Sequence, residues 1–225
     1  MEKGAYLIES KKHRDFDAML MKWHLTNRMD FSFRRTRDSY QILISEILLR
    51  KTTAKQVDRV FPSFIKKFPT PEALANAEKN DLKDLIAELG LSKRATELRK
   101  MAECLVERYA GKVPSADEDL LSLPGVGRYT AGAVLTFGFG QIRPMVDTNV
   151  VRVLSRVFGL TSAKKRPRTD ERFWKLYESL IPSENPREFH YAVLDLARLV
   201  CLPKNPHCMK CPVSDICEFV SHKSL

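Results

Sequence analysis

The sequence predicts an all-α protein. Apolar residues recur at three- and four-residue spacing along nearly the whole chain, strand-like alternation is almost absent, and prolines and glycines divide the chain into helix-length pieces. Ser39–Arg50 (SYQILISEILLR) shows the pattern most strongly: Tyr40, Leu43, Ile44, Ile47 and Leu48 fill one face, and Ile42 and Leu49 extend it almost all round, so this helix is buried. Further helices are predicted at Phe16–Met29, Ala54–Phe68, Pro71–Ala77, Asn80–Leu89, Lys93–Ala110, Ala116–Leu121, Arg128–Gly138, Thr148–Phe158, Asp170–Ile181 and Arg187–Val200. Between them stand Pro69 and Pro71, Gly90, Gly111 with Pro114, Pro124 to Gly127, Pro144, Pro182 and Pro186. Thr161–Thr169 (TSAKKRPRT) is basic, lacks apolar periodicity and is predicted to be a surface loop. The helices should pack as two lobes, residues 31–138 forming one and residues 1–30 with 139–225 the other, with a site in the cleft between them.

With 225 residues, 44% of them hydrophobic, the chain can bury a sizeable core. Thirty-eight Lys and Arg against 28 Asp and Glu give a net charge of +10, which makes a polyanion such as nucleic acid the first partner to consider. No apolar run approaches the ~20 residues that span a bilayer, and residues 1–30 lack the apolar core of a signal peptide. The expected location is the cytoplasm, at the nucleoid, in a prokaryote or the nucleus in a eukaryote, with no membrane partner and a monomer as the default state.

Four of the five cysteines, Cys201, Cys208, Cys211 and Cys217, crowd into the last 25 residues, separated by six, two and five residues. In a reducing compartment such a cluster holds a metal more often than it forms disulfides. Four thiolates suit either a tetrahedral zinc, with His207 as a substitute ligand, or a [4Fe–4S] cube, and the spacing leaves both open. Cys104, in an amphipathic run, reads as a small core residue.

In Ser122–Gly132 (SLPGVGRYTAG), two glycines flank a valine between apolar helices. Glycines permit positive φ and close approach, and the amides opening the second helix point outward at the positive end of its dipole, which suits a phosphodiester. Some twenty residues on, Asp147 precedes the amphipathic helix carrying Val150, Val151, Leu154, Val157 and Phe158. It reads either as an N-cap or as a carboxylate partly desolvated behind Pro144, Met145 and Val146.

LPGVG before a small-residue helix, the Asp of VDTNVVRV and Cys-x6-Cys-x2-Cys-x5-Cys occur here in order. Together they resemble the helix-hairpin-helix DNA glycosylases that carry an iron–sulfur cluster, the superfamily of endonuclease III and adenine mismatch glycosylases. The resemblance implies a bilobal helix-hairpin-helix fold, a [4Fe–4S] cluster on Cys201, Cys208, Cys211 and Cys217 in the loop 201–217, and double-stranded DNA with a mismatched or damaged base as partner. Strand-cleaving members have lysine at the position of Tyr129, and adenine mismatch members usually serine. A tyrosine cannot form a Schiff base, so the implied enzyme is monofunctional and closest to archaeal-type thymine/uracil glycosylases acting on G·T and G·U.

The resemblance further implies strand contacts at Gly125, Val126, Gly127 and Arg128, an inserted wedge at Leu91, and Arg50 and Lys51 at the gap or orphan base. Leu91 is alternatively a capping contact after Gly90, and Tyr129 alternatively a packing residue. Asp147 would stabilise the cationic sugar and orient water, and Tyr129 would shape the base pocket. Glu46, on the apolar helix, is a possible acid or base-binding group, or a partner in a buried ion pair. Glu46 also keeps adenine release opposite G or 8-oxoguanine as the alternative; against it stand Tyr129 and the expectation, from the resemblance, of a further C-terminal domain in relatives that recognise 8-oxoguanine, for which a chain ending at Leu225 is expected to have no room. A non-catalytic iron–sulfur protein that binds DNA structures is the alternative of another class.

Overall fold

The computed structural model describes residues 2–90 and 93–221; the predicted wedge Leu91 lies outside the described residues. Among these residues there are helices and no strands, and the chain divides into two compact units: Asp30–Arg143, and Met1–Met29 with Pro144–Leu225. Asp30 and residues 139–143, expected with the second lobe, lie in the first of these units. There the Gln141 side chain donates to Ser115 O at 2.9 Å and Thr136 Oγ1 donates to Arg143 O at 3.3 Å.

The unit Asp30–Arg143 is built on α3, Ser39–Leu48. Its start is fixed by Asp38, whose side chain accepts from Gln41 N, and Ile42, Leu43, Ile44, Ile47 and Leu48 are all essentially inaccessible. Helix α3 packs on α9, Arg128–Phe139. A Cβ at Gly138 would approach Ser39 Cα at 3.1 Å, so the end of α9 lies against the start of α3. Around this pair stand α2 (Ser32–Arg35), α4 (Ala54–Lys67), α5 (Pro71–Ala75), α6 (Lys79–Leu85), α7 (Lys93–Tyr109) and α8 (Asp117–Ser122). Phe31 and Phe33 stack with ring centroids 5.2 Å apart.

The other unit packs α1 (Glu2–Asn27), α10 (Thr148–Phe158), α11 (Glu171–Leu180) and α12 (Pro186–Leu199) around one apolar core. Phe16 and Leu20 of α1, Val150, Val153, Leu154 and Val157 of α10, Phe173 and Tyr177 of α11, and Phe189 and Leu196 of α12 meet there. Helix α10 occupies the predicted range because both ends are specified: Asp147 caps its start and Gly159, at φ +69°, stops it. The segment from Cys201 to Cys217 winds through short 3₁₀ turns to α13, Glu218–Ser221. Within the predicted basic loop, Pro167–Thr169 forms a further 3₁₀ turn.

Candidate glycosylase site and iron–sulfur segment

Asp147 is half-buried behind Met145 and Val146, which are inaccessible. Its Oδ1 accepts from the backbone N–H groups of Asn149 and Val150, each at 2.8 Å, while Oδ2 accepts from Asn149 Nδ2 at 2.8 Å. The capping reading holds, and only one oxygen carries it: Oδ1 closes the helix, while Oδ2 is held by the neighbouring Asn149 amide. The positive end of α10 adds a favourable field for a negative charge.

Behind the carboxylate lies a polar relay that the apolar reading of α10 passed over. Arg152 Nη2 donates to Asn149 Oδ1 at 3.1 Å and to Ala197 O at 2.9 Å, and its Nε donates to Cys201 O at 2.8 Å. Arg156, one turn further, donates through Nη1 to Leu202 O at 2.7 Å and to Cys201 Sγ at 3.4 Å, and through Nη2 to Pro203 O at 3.1 Å. The Asn149, Arg152, Arg156 spacing of three and four residues is the signal that could have shown one polar stripe facing inward. Burial lowers the pKa of the Arg152 guanidinium, with the nearby Cys201 acting against it. Tyr177 is fully buried, with its hydroxyl 2.9 Å from His190 Nδ1. Burial, and then the charge of Asp147, hold this phenol well above its ordinary pKa, so it stays neutral.

In the other unit, the turn Pro124–Gly127 joins α8 to α9. Gly125 takes φ +79°, a conformation that strains any other residue, and Gly127 is the N-cap of α9 with no side chain capping it. Gly125, Gly127 and Arg128 are exposed, whereas the Val126 side chain is buried, so any strand contact at Val126 is through backbone. The guanidinium of Arg50 is engaged within the protein: Nη1 donates to Gly125 O at 2.9 Å, and Nη2 lies 3.5 Å from Glu97 Oε2. In this structure Arg50 thus holds the turn itself. Lys51 beside it is exposed.

Tyr129 is half-buried in the first turn of α9, and Glu46 on α3 is 8% exposed. Both helices belong to the unit Asp30–Arg143 and pack on each other.

Cys201, Cys208, Cys211 and Cys217 line a single cavity together with Arg156, Val157, Leu196, Val200, Val213 and Phe219. Cys201 and Cys217 are 8% exposed, and burial pushes the Cys211 thiol up to about 11 and raises that of Cys217. Among the described residues, no group of three or more His, Cys, Asp or Glu side chains is drawn together as around one metal ion. Four cysteines lining one apolar-walled cavity supply the ligand set a [4Fe–4S] cluster requires.

Comparison with known proteins separates the readings left open above. Residues 201–217 match the iron–sulfur binding domain of endonuclease III, and these residues bind an iron–sulfur cluster rather than zinc. A thymine-DNA glycosylase of Aeropyrum pernix is 41% identical over 99% of this chain and 98% of its own, and a thymine/uracil-DNA glycosylase of Pyrobaculum aerophilum is 40% identical over 94% and 93%. The solved structure of a thermostable thymine-DNA glycosylase superposes with a TM-score of 0.90 at 37% identity, covering 95% of this chain and 98% of that one. Residues 44–179 match the HhH-GPD superfamily of base excision DNA repair proteins, and the chain, a DNA glycosylase, belongs to that family.

Proposed function

We propose that this chain acts as a monomer on mismatched duplex DNA and releases thymine or uracil paired with guanine, leaving an abasic site without nicking the strand. The observation that carries the reading is Asp147, a carboxylate aimed by Asn149 at the start of α10, in a chain whose Tyr129 offers no amine. The mismatched base leaves the stack, at lower cost than a well-paired one. The exposed turn Gly125–Arg128 binds strand phosphates through backbone N–H groups and the Arg128 side chain. As the glycosidic bond breaks, the sugar becomes cationic and Asp147 stabilises it, then accepts a proton from the attacking water. Thymine or uracil leaves as an anion stabilised by hydrogen bonds, with Tyr129 shaping the base pocket and Glu46 supplying a polar partner.

Cys201, Cys208, Cys211 and Cys217 would hold the cluster, which when bound would tie the 201–217 segment together covalently. Arg152 and Arg156 link that segment to α10 and, through Asn149, to Asp147.

Burial of Glu46 favours one second reading, adenine release with Glu46 as proton donor. Single-turnover assays on duplexes carrying G·T, G·U, A·8-oxoguanine and A·G, each with and without alkali, test both. Breaks only after alkali on G·T and G·U support the pyrimidine reading; adenine release supports the second; breaks without alkali overturn monofunctional action. Release of no base from any duplex would leave a non-catalytic DNA-binding protein. Asp147→Asn, which keeps a good N-cap residue, should lose at least about 100-fold in rate while retaining duplex binding.

A further inference from the structure

Arg94 is only 5% exposed, yet neither the predicted DNA contacts nor the cluster accounts for it. A buried guanidinium requires acceptors, and here they are two backbone carbonyls: Nη1 donates to Leu48 O at 2.9 Å and Nη2 to Arg50 O. Leu48 ends α3, where carbonyls lack partners within the helix and a cation is favoured by the dipole. From there the chain passes through Lys51, which holds φ +59°, a costly conformation for a residue with a Cβ. One planar fork binding carbonyls on both sides of Leu49, with Thr52 Oγ1 also on Leu48 O, holds the loop in that shape. The side chain of Arg50 then continues to Gly125 O in the hairpin turn and to Glu97, which lies one turn from Arg94 on α7. The loop 49–52, the turn 124–127 and the start of α7 therefore form one hydrogen-bonded unit.

We propose that Arg94 is a positioning residue for base opening. It holds the loop 49–52 at a fixed offset from the strand-binding turn, so that seating the phosphates on the turn carries Lys51 into the space the displaced base vacates. The loop acts as a preformed wedge. A flexible probe would lose the entropy of ordering each time it inserted. The inference rests on the reading of this chain as an enzyme that opens mismatched DNA.

The test uses the full chain with its cluster and a G·T duplex carrying 2-aminopurine beside the thymine, whose fluorescence rises on unstacking. Arg94→Lys keeps the charge but lacks the fork. Arg50→Lys breaks the tie to Gly125 from a side chain 41% exposed. Both variants are expected to bind the duplex within about three-fold of the parent, to lose most of the fluorescence rise, and to excise about ten-fold more slowly. The double variant should be no slower than Arg94→Lys, because both changes break one linkage. A full fluorescence rise in either folded variant overturns the proposal. If Arg94→Lys loses its cooperative thermal transition, Arg50→Lys decides alone by the same criterion. Fluorescence that depends on Arg94 in a protein releasing no base would sink the glycosylase reading and leave this one standing; normal base release with fluorescence independent of Arg94 would do the reverse.

Discussion

Asn149 clasps the carboxylate of Asp147, two positions before it: its backbone N–H donates to Oδ1 and its side-chain amide to Oδ2, both at 2.8 Å. Two donors from one residue fix the carboxylate's rotation about its last torsion. The amide is itself fixed, since Arg152 donates to Asn149 Oδ1. Asn149→Leu removes the side-chain donor without adding charge. It should slow base release about ten-fold, by letting Oδ2 turn away, while duplex affinity stays within about two-fold. Single-turnover rates beside equilibrium binding separate the two effects, and a parallel loss of both would mean that Asn149 is simply part of the helix cap.

Arg156 is the side chain on α10 that reaches furthest into the cluster segment. It donates to Leu202 O, Pro203 O and Cys201 Sγ, and its ring-facing side packs on Phe219, with the guanidinium 4.8 Å from the ring centroid. Both ends of the cysteine motif thus lean on one residue. Arg156→Met keeps much of the side-chain volume and removes every donor. The variant is expected to lose iron and visible cluster absorbance several-fold faster on exposure to oxygen, and to melt lower by several degrees. Full retention of iron with unchanged melting would show that the cysteines alone secure the segment.

The helix borders were legible where both ends carried a local signal. Thr148–Phe158 runs from a capping Asp to a left-handed Gly, and Lys93 opens α7 as expected. Ser32–Arg35 was not visible because four residues carry no period, and its place is set by Phe31 and Phe33 stacking on each other. Helix α1 begins well before Phe16 because its early stretch, rich in charge, shows no apolar stripe for a sequence reading to follow. The site was half visible. Asp147, Tyr129 and the cysteines stand out as candidates by residue type and order, but Arg152, Arg156 and Arg94 act through backbone carbonyls distant in sequence, and Asn149 through the side chains of Asp147 and Arg152. A polar face turned inward looks, in one dimension, like a polar face turned to water.

Asp17 sits against the core side of α1 with Oδ1 buried and no hydrogen-bond partner, and burial raises its pKa above the ordinary carboxylate value. The sign follows from which form the folded state prefers. An acid whose folded pKa exceeds its unfolded one costs stability when ionised, and this cost fades as pH falls through the folded value toward the unfolded one. Asp17→Asn should therefore melt about 2 °C higher at neutral pH, and the gap should close near pH 4. Thermal melts of both proteins across that range check it; a gap that does not change with pH would assign the gain to helix propensity instead.

Tyr129 offers the sharpest change of chemistry from one substitution. It lies in the first turn of α9, next to Arg128, and a phenol there cannot attack the sugar to form an imine. Tyr129→Lys places a primary amine at that point. Partial burial, the helix N-terminus and the adjacent Arg128 all disfavour the ammonium form, which leaves a usable fraction of free amine. The amine attacks C1′ as the base departs with the bonding electrons, loses a proton, and opens the sugar to a Schiff base. Borohydride then reduces that imine to a stable protein–DNA bond. The variant is expected to yield a trapped adduct on G·U duplex and strand breaks without alkali, where the parent yields neither. An enzyme that still released base but gave no adduct would place residue 129 out of reach of C1′, and would return Tyr129 to a packing role at the end of α9.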